Sequence, residues 1–529
     1  MAVVLFVIAA VVILPFLTYY VTSALFFRTA NSTIDGKKPA TVPYFIPAVF
    51  HSFGFLHWGA PKYFAELIKD YGSFAPFRIR VGLRSIVILR DPTHVSRVLN
   101  APEHLTATAS EVEILDKIFR SPRAGKHLQQ TKADDSENGD KKTLPFDIPD
   151  ATLESTTEAY ISILSANMQD KMFQSNTWTS IEDLWSFLQL VSLRCTLETF
   201  FGSALLKKYP RILRDFVMFD AAIEGYVHGM PRLLISGASK SRDRLYQGVG
   251  SWLSFESGAE HADDLVWNQV NGMGFIREHY RALKVDNDEE VNLKARVAEV
   301  LSIIHATNTA LVSPIFWTVV ETLRKSHLTR NMTNIVDKHL SPKTRKYDIP
   351  GLLQEPLAKS LQTEVQRLRT ATCVVRTNET DGYPLDKQWS LGKGATVVIF
   401  SHDIALNKDL WKKLQPQALE RPLEEFWAER FMVPDRKSKS KKGVVTTGDV
   451  DADNLGDLLT RLTVSNQYPG SRLVSSLRMA TVALLFADFE IELCEPEYVD
   501  AILPLNGELA YGHVKPLDKI VVRIRKRKH

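Results

Sequence analysis

Cysteine is scarce in this chain: its 529 residues include only three, Cys195, Cys373 and Cys494. No two of them form a Cys-x-x-Cys pair, so the sequence indicates neither a zinc site nor a disulfide framework, and no metal site is expected. Free thiols fit a reducing environment that faces the cytosol. A basic stripe with interleaved aromatic residues is also missing, and the formal net charge is only +4, so nucleic acid is not an expected partner.

Charged residues are absent from the stretch Ala2 to Phe27, which is almost wholly apolar. About 20 apolar residues span a bilayer, so residues 1–28 are predicted to form one transmembrane anchor. The stretch lacks the short core and the small-residue exit of a cleaved signal peptide. Arg28, Lys37 and Lys38 follow it, and the positive-inside rule places the body of the protein in the cytosol, which favours the endoplasmic reticulum membrane.

The remainder of the chain divides by composition into a short connection and one large region. Three prolines between residues 39 and 47 predict a stiff, extended hinge over residues 29–50. Residues 51–529 are predicted to form a single domain. Two stretches within that domain, 132–142 and 435–457, are dense in charge and poor in apolar residues, so they are predicted to be mobile insertions.

Helical periodicity dominates the large region, and short strand patterns lie toward both of its ends. The helical pattern runs through most of residues 150–330, with breaks predicted near Pro210, Pro231 and the turn Gly237–Ser241. Alternating β-branched residues predict a hairpin over Phe74–Leu89, followed by a helix that opens at Asp91-Pro92-Thr93; further strands are predicted at 373–376, 396–400 and 489–493. The predicted fold class is therefore mainly α with a small β portion.

Several short motifs occur in an informative order. Glu364 and Arg367 form a Glu-x-x-Arg pair, which alone is a common surface pair of helices. The segment Ala428-Glu429-Arg430-Phe431 follows about sixty residues later, and Tyr468-Pro469-Gly470 then precedes an apolar, helix-like stretch. With the apolar helix Ala306–Trp317 before them, these motifs resemble the cytochrome P-450 family over nearly the whole chain, especially its fungal members near the sterol 7α-hydroxylases and prostacyclin synthase.

This resemblance implies a cytochrome P-450-like fold and a structural network among Glu364, Arg367 and Arg430. It also identifies a departure, because Tyr468 stands where the family carries the cysteine thiolate that ligates haem iron. The glycine four residues before that position is replaced by Val464, and the basic residue two positions before it is replaced by Asn466. A Trp-x-x-x-Arg pair, which contacts haem in many members, occurs nowhere in the sequence.

The central helix departs from the family pattern as well. The acid-or-amide and threonine pair that handles proton delivery falls on Ala310-Leu311, while Asn308 and Thr309 lie slightly earlier and are candidates for the same pocket. His305 is the one titratable side chain on this stretch and is a candidate general acid or base. Pro314 removes a helical hydrogen bond and frees the carbonyl of Ala310. Plain core packing is the alternative explanation for these residues.

These features lead to three hypotheses for function. The first is an enzyme of specialised metabolism that performs a non-redox step, a cyclisation, isomerisation or lyase reaction such as a Diels–Alder closure, on an apolar terpenoid or polyketide without a cofactor. The second is a haem monooxygenase with an unusual axial ligand, which Tyr468 or Cys494 would have to supply. The third is a non-catalytic membrane protein that binds an apolar intermediate or other enzymes of its pathway.

Overall fold

The fold was analysed in a computed structural model of the chain. It describes residues 2–47, 49–52, 54, 60–72, 76–81, 84–101, 103–106, 118–120, 122, 148–169, 176–227, 235–256, 266–284, 286–432, 455–464, 470–503, 512–513 and 515–528. Two compact units share these residues: one takes residues 1–110, 366–463 and 505–514, and the other takes residues 111–365, 464–504 and 515–529.

The first unit is built on a mixed sheet. Its strands are β1 (Ala40–Thr41), β2 (Phe77–Val81), β3 (Arg84–Ile88), β4 (Leu105–Thr106), β9 (Cys373–Asn378) and β12 (Thr396–Phe400), in the spatial order β1-β2-β3-β12-β9-β4. β1 runs parallel to β2 and β12 runs parallel to β3, whereas the remaining neighbours are antiparallel. Two small ribbons accompany the sheet, one of β10 (Tyr383–Pro384) and β11 (Ser390–Leu391), the other of β8 (Thr370–Ala371) and β14 (Gly512–His513).

Helices pack on both sides of this sheet. They are α1 (Ala2–Ala30), α2 (Ala60–Tyr71), α3 (Pro92–Leu99), α14 (Ser401–Ala405), α15 (Lys408–Leu414) and α16 (Leu455–Val464), and α13 (Pro356–Arg369) enters the unit at residue 366. One apolar core joins Val397 and Ile399 of β12 to Trp411 and to Leu459 of α16. A second core joins Phe64 of α2 to Phe26 of α1.

The second unit is almost entirely helical. Its helices are α4 (Asp150–Asn167), α5 (Leu184–Lys208), α6 (Ile212–Asp220), α7 (Ile223–Val227), α8 (Ser236–Glu256), α9 (Gly274–Arg281), α10 (Glu289–Leu323), α11 (Ser326–Lys338), α12 (Ile349–Gln354), α17 (Ser471–Asp488) and α18 (Pro496–Ala501). The long helix α10 is its centre, and α5, α8 and α17 pack around it. A three-stranded sheet of β13 (Phe489–Leu493), β15 (Val522–Lys526) and β5 (Thr179–Ile181) closes one side, and β6 (Trp267–Asn268) pairs with β7 (Gly272–Met273).

Helix α10 is long and apolar enough to span a membrane, but its surroundings assign it to the core. Within its most apolar 18-residue window, 83% of the sequence is buried in the protein. Val300, Leu301, Ala310 and Phe316 are all fully buried. A helix that is buried on every side is typical of the core of a large protein, and residues 310–322 of α10 form such a segment.

The predicted secondary structure is largely confirmed. Strands β2 and β3 form the predicted hairpin, β9, β12 and β13 lie where strands were predicted, and α3 begins after Asp91, which caps it by accepting hydrogen bonds from the amides of Thr93 and His94. Mainly helical structure with some sheet is consistent with a cytochrome P-450-like fold. The helix break predicted near Pro210 is confirmed, because α5 ends at Lys208 and α6 begins at Ile212.

Some predicted boundaries differ from the structure. The turn predicted at Gly237–Ser241 is wrong, because α8 begins at Ser236 and continues through it, and the Gly237 position lies beside the Met218 side chain. Helix α5 contains a break that the sequence analysis did not predict: Gly202 has a positive φ, and a Cβ there would collide with the Val270 carbonyl. Residues 132–142, most of 435–457, and Pro231 lie outside the described residues.

The segment predicted as a hinge contributes to the sheet. Ala40 and Thr41 form β1 beside Phe77 and Arg78, and Val42 is buried. The predicted anchor forms the helix α1, with Ile13, Phe16, Leu17 and Tyr20 exposed and Phe26 in the core. The helical prediction for this stretch is thus confirmed, while insertion into a membrane stays a prediction.

Candidate functional site

The candidate site centres on an imidazole of α10. His305 Nδ1 lies 2.8 Å from Oδ1 of Asp220, the last residue of α6. The other oxygen of Asp220 accepts a hydrogen bond from Nε2 of Gln189 on α5, at 3.4 Å. The hydroxyl oxygen of Thr309, one turn along α10, lies 3.5 Å from His305 Nδ1. Three helices of the second unit therefore hold one histidine between a carboxylate and a hydroxyl.

The position of Asp220 is unfavourable by itself. A carboxylate at the C-terminal end of a helix faces the negative end of the helix dipole, so α6 alone would be more stable without it. Phe216 and Phe219 bury the apolar face of α6 and direct Asp220 toward α10. An imidazole that donates a hydrogen bond to this carboxylate offsets the unfavourable interaction with the helix dipole, and both helices hold the pair together.

This arrangement fixes the chemistry of the two ring nitrogens. Because Asp220 only accepts hydrogen bonds when ionised, we assign the proton of the neutral ring to Nδ1, which leaves a lone pair on Nε2. Within the described part of the chain, Nε2 of His305 has no hydrogen-bond partner, and the imidazole side chain keeps 25% of its surface exposed. The ring centroid of Phe119 lies 5.9 Å away and makes that side apolar. Such an oriented imidazole can accept a proton from a bound molecule and return it.

Asn308, the next predicted pocket residue, is buried one turn along from His305. Its side-chain Oδ1 has no hydrogen-bond partner among the described residues, and the same holds for Oγ1 of Thr307 and Oγ of Ser313. Buried acceptors that lack a partner are uncommon in native structures and can be satisfied by a ligand or by water. The structure thus brings His305 and Thr309 together with Asp220 and places Asn308 on the same helix without a recorded contact to them.

The proline of α10 has the predicted effect on its helix. Pro314 lies inside α10 and cannot donate to the carbonyl of Ala310. Instead, Nε of Arg478 on α17 donates to that carbonyl at 2.6 Å. Arg478 is only 5% exposed, and burial lowers the pKa of its guanidinium group to about 10. A side chain from α17 therefore satisfies a backbone group that the sequence of α10 leaves free.

The thiols do not fit the role of a haem ligand. Cys195 is buried in α5 beside Asn167, Cys373 lies in β9, and burial raises the pKa of each thiol to about 12, which disfavours the thiolate. Cys494 is exposed after β13, in a stretch whose backbone pairs with Val521. Tyr468 lies outside the described residues. None of the three cysteines stands at the position that the family uses for its haem ligand.

The predicted structural network involves three deeply buried side chains. Arg430 donates to the carbonyls of Arg421, Pro422 and Glu425 at 2.8–3.1 Å and to that of Ala418. Arg367 donates to the Ala405 carbonyl at 3.2 Å and lies over the Trp411 ring. Glu364 is fully buried on α13, and its predicted contact with the two arginines stays a prediction. Arg430 thus orders the loop before it.

Three known proteins are similar to this chain. It is 26% identical over 521 residues to the cytochrome P-450 monooxygenase fsoE of Humicola fuscoatra, covering 93% of this chain and 88% of that protein. It is 24% identical over 533 residues to the cytochrome P-450 monooxygenase efuG of Hormonema carpetanum, covering 94% and 92%. Cytochrome P-450 7A1 of Oryctolagus cuniculus is 24% identical over 316 residues, covering 56% and 58%.

No family model matches the chain. The similarity to the two fungal relatives nevertheless extends over nearly its whole length, and it supports the cytochrome P-450 superfamily, including a fungal branch. The resemblance that the motifs predicted is thus confirmed.

Sequence reasoning found His305 and Thr309 but missed the carboxylate that holds the imidazole. Asp220 lies 85 positions before His305, and no local motif connects the two residues. The one available signal was the acidic residue at the end of an apolar helix pattern, where the helix dipole disfavours it. Arg478 gave a comparable signal, because it is the one charged residue within the apolar stretch Leu473–Leu485.

Proposed function

We propose that this protein is a membrane-associated enzyme of fungal specialised metabolism that performs a non-redox step on an apolar terpenoid or polyketide. The reaction is a cyclisation or isomerisation, for example a Diels–Alder-type closure, and it requires no cofactor. The supporting observation is the His305–Asp220 pair, an oriented proton acceptor in a chain that has Tyr468 where the family carries its haem-ligand cysteine. Other enzymes of the same pathway supply the substrate at the endoplasmic reticulum membrane.

The residues have defined roles in this proposal. His305 Nε2 takes a proton from a hydroxyl or an acidic C–H of the substrate and later returns it, so substrate and product have the same elemental composition. Asp220 holds the ring and stabilises the imidazolium form, as a carboxylate does for an acid–base histidine. Thr309 and Asn308 offer a hydroxyl and an amide to polar atoms of the substrate. Proximity and orientation in a desolvated pocket supply most of the remaining rate enhancement.

The composition of the metabolites tests the reaction class. In the producing fungus, replacing the gene with His305→Gln or Asp220→Asn should cause a precursor to accumulate whose accurate mass equals that of the lost product. Removing a general base costs about 10²- to 10⁴-fold in rate. His279→Gln is the matched control. His279 Nε2 lies 2.8 Å from Oε1 of Glu299, so it forms a similar pair, but it is not part of the candidate site. A precursor that differs from the product by one oxygen atom would contradict the proposal.

A second function is supported by the relatives. The two fungal proteins that match most of the chain carry the name monooxygenase, which favours oxygen insertion by a haem with an unusual axial ligand. Purified protein with one haem per chain, together with a product heavier by one oxygen, would support this function. A haem-free protein whose activity depends on His305 would support the non-redox reaction. A deletion that leaves the metabolites unchanged while lowering a partner enzyme would indicate a binding role instead.

A further inference from the structure

Arg478 is a buried cation, and among the described residues only its Nε donates a hydrogen bond. Its Nε donates to the Ala310 carbonyl, and no other described atom accepts a hydrogen bond from its guanidinium group. Arg430 is buried to a similar degree but satisfies both of its terminal amino groups with four carbonyls. Within the described part of the chain, Nη1 and Nη2 of Arg478 are thus left as a planar pair of donors.

The positive charge of Arg478 is not neutralised within the described residues. No Asp or Glu there forms an ion pair with it, whereas the exposed or part-buried arginines at 90, 244, 324 and 527 each have a carboxylate partner. Residues 465–469, which directly precede α17 and lie outside the described residues, include no acidic residue. An ion without a partner is costly to bury, since the desolvation penalty is several kcal/mol.

The residues one turn before and after Arg478 on its helix are apolar. Val474 and Val482, one turn before and after it on the same face of α17, are fully buried. On α10, Leu311 follows the carbonyl that Arg478 binds, and it is buried too. A molecule that reaches this guanidinium group must therefore be largely apolar and must carry the negative charge that the described residues do not provide.

We propose that Nη1 and Nη2 of Arg478 bind the carboxylate of a small apolar ligand. A guanidinium fork and a carboxylate have matching planar geometry and form two parallel, charge-assisted hydrogen bonds. The bond from Nε to the Ala310 carbonyl holds the fork in one orientation before the ligand arrives. The site is distinct from the histidine pair, because His305 and Ala310 point about 140° apart around α10. The inference stands independently of the function proposed above.

Binding of carboxylates and their uncharged esters tests the site. The full-length protein is titrated with octanoate, dodecanoate and hexadecanoate and with the methyl ester of each, by calorimetry and by the shift in melting temperature. The wild type should bind at least one acid about tenfold or more tightly than its ester, as expected for hydrogen bonds to a charged group. Arg478→Met should abolish this preference while leaving ester binding unchanged.

Two controls separate binding from a structural role. Arg242 is 5% exposed, lies 4.0 Å over the Tyr226 ring and donates to the Ile118 carbonyl, so Arg242→Met removes another buried arginine and should keep the preference for acids. If Arg478→Met does not fold, the double variant Pro314→Ala/Arg478→Met is used, because the restored amide can satisfy the Ala310 carbonyl. Arg478→Lys, which keeps the charge but loses the fork, should bind the acids more weakly than the wild type.

Three results would overturn the inference. The first is a wild type that binds acids and esters equally, and the second is a preference for acids that survives in Arg478→Met or its double variant. The third is a purified protein that holds one haem per chain and loses it on Arg478→Met, because the bound carboxylate would then be a haem propionate instead of a separate ligand.

Discussion

At the scale of single residues, Arg430 and Arg421 differ in burial, and this difference gives them different structural roles that the sequence alone does not reveal. Arg430 and Arg421 are nine positions apart and have the same side chain. Arg430 is buried, and its amino groups bind the carbonyls of the loop around residues 418–425. Arg421 is exposed and forms an i,i+4 ion pair with Glu425. Their contributions to stability should therefore differ strongly.

Replacing Arg430 by alanine should lower the free energy of unfolding by about 3 kcal/mol or more, because several buried carbonyls lose their donor at once. Replacing Arg421 by alanine should change it by less than about 1 kcal/mol, as expected for an exposed ion pair. Chemical denaturation of both variants provides the measurement. Equal effects would show that Arg430 does not order the loop as the structure indicates.

At the scale of elements, α17 supplies a hydrogen-bond donor to a backbone carbonyl that α10 leaves unsatisfied. Pro314 removes the hydrogen bond that would satisfy the Ala310 carbonyl, and Arg478 supplies it from α17. A kink at a proline is common in long helices, and a donor from a neighbouring element is one way to accommodate it. The two residues should therefore be energetically coupled.

A double-mutant cycle measures this coupling. Arg478→Met leaves the Ala310 carbonyl without its donor, but in a Pro314→Ala background the new amide can replace it. The loss of stability caused by Arg478→Met should be smaller in that background by about 1 kcal/mol, the value of a typical buried hydrogen bond. The cost of desolvating the arginine is the same in both backgrounds and cancels. Additive effects would mean that the carbonyl is satisfied by something other than Arg478.

At the scale of the whole molecule, α1 has two faces with different environments. Near its C-terminal end, Phe26 packs in the core with an edge contact to Tyr71, and Tyr19 stacks on Phe45 at 4.6 Å. Ile13, Phe16, Leu17 and Tyr20 are exposed in the protein alone. Apolar side chains of this number on one helix fit an acyl-chain environment, which is the basis for expecting membrane association.

Deleting residues 2–17 should move the protein from the membrane pellet to the supernatant after ultracentrifugation, while its unfolding transition stays near that of the full-length chain. Phe26→Ala is the complementary change: it should leave the protein in the pellet but destabilise it by about 3 kcal/mol, because it creates a cavity beside Tyr71. A truncated protein that still sediments with membranes would place the attachment elsewhere in the chain.

Patterns of short range were sufficient for much of the fold. Alternation over Phe74–Leu89 predicted the hairpin, Asp91 predicted the start of α3, and the apolar residues 301–317 predicted the central helix. Such elements are predictable because the residue pattern that forms each of them is local in the sequence. The order of the motifs was also sufficient to identify the superfamily, and the position of Tyr468 marked the departure from it.

Only the tertiary structure decided how the candidate site is assembled. The sequence identified His305 and the free carbonyl of Ala310, but their partners are distant: Asp220 comes from α6 and Arg478 from α17. No local pattern encodes such pairs, since a hydrogen bond between helices depends on packing that brings distant residues within about 3 Å. The sequence by itself thus determined the elements and the relationship to known proteins, whereas folding determined which polar groups meet, because helix packing alone sets the distances between them.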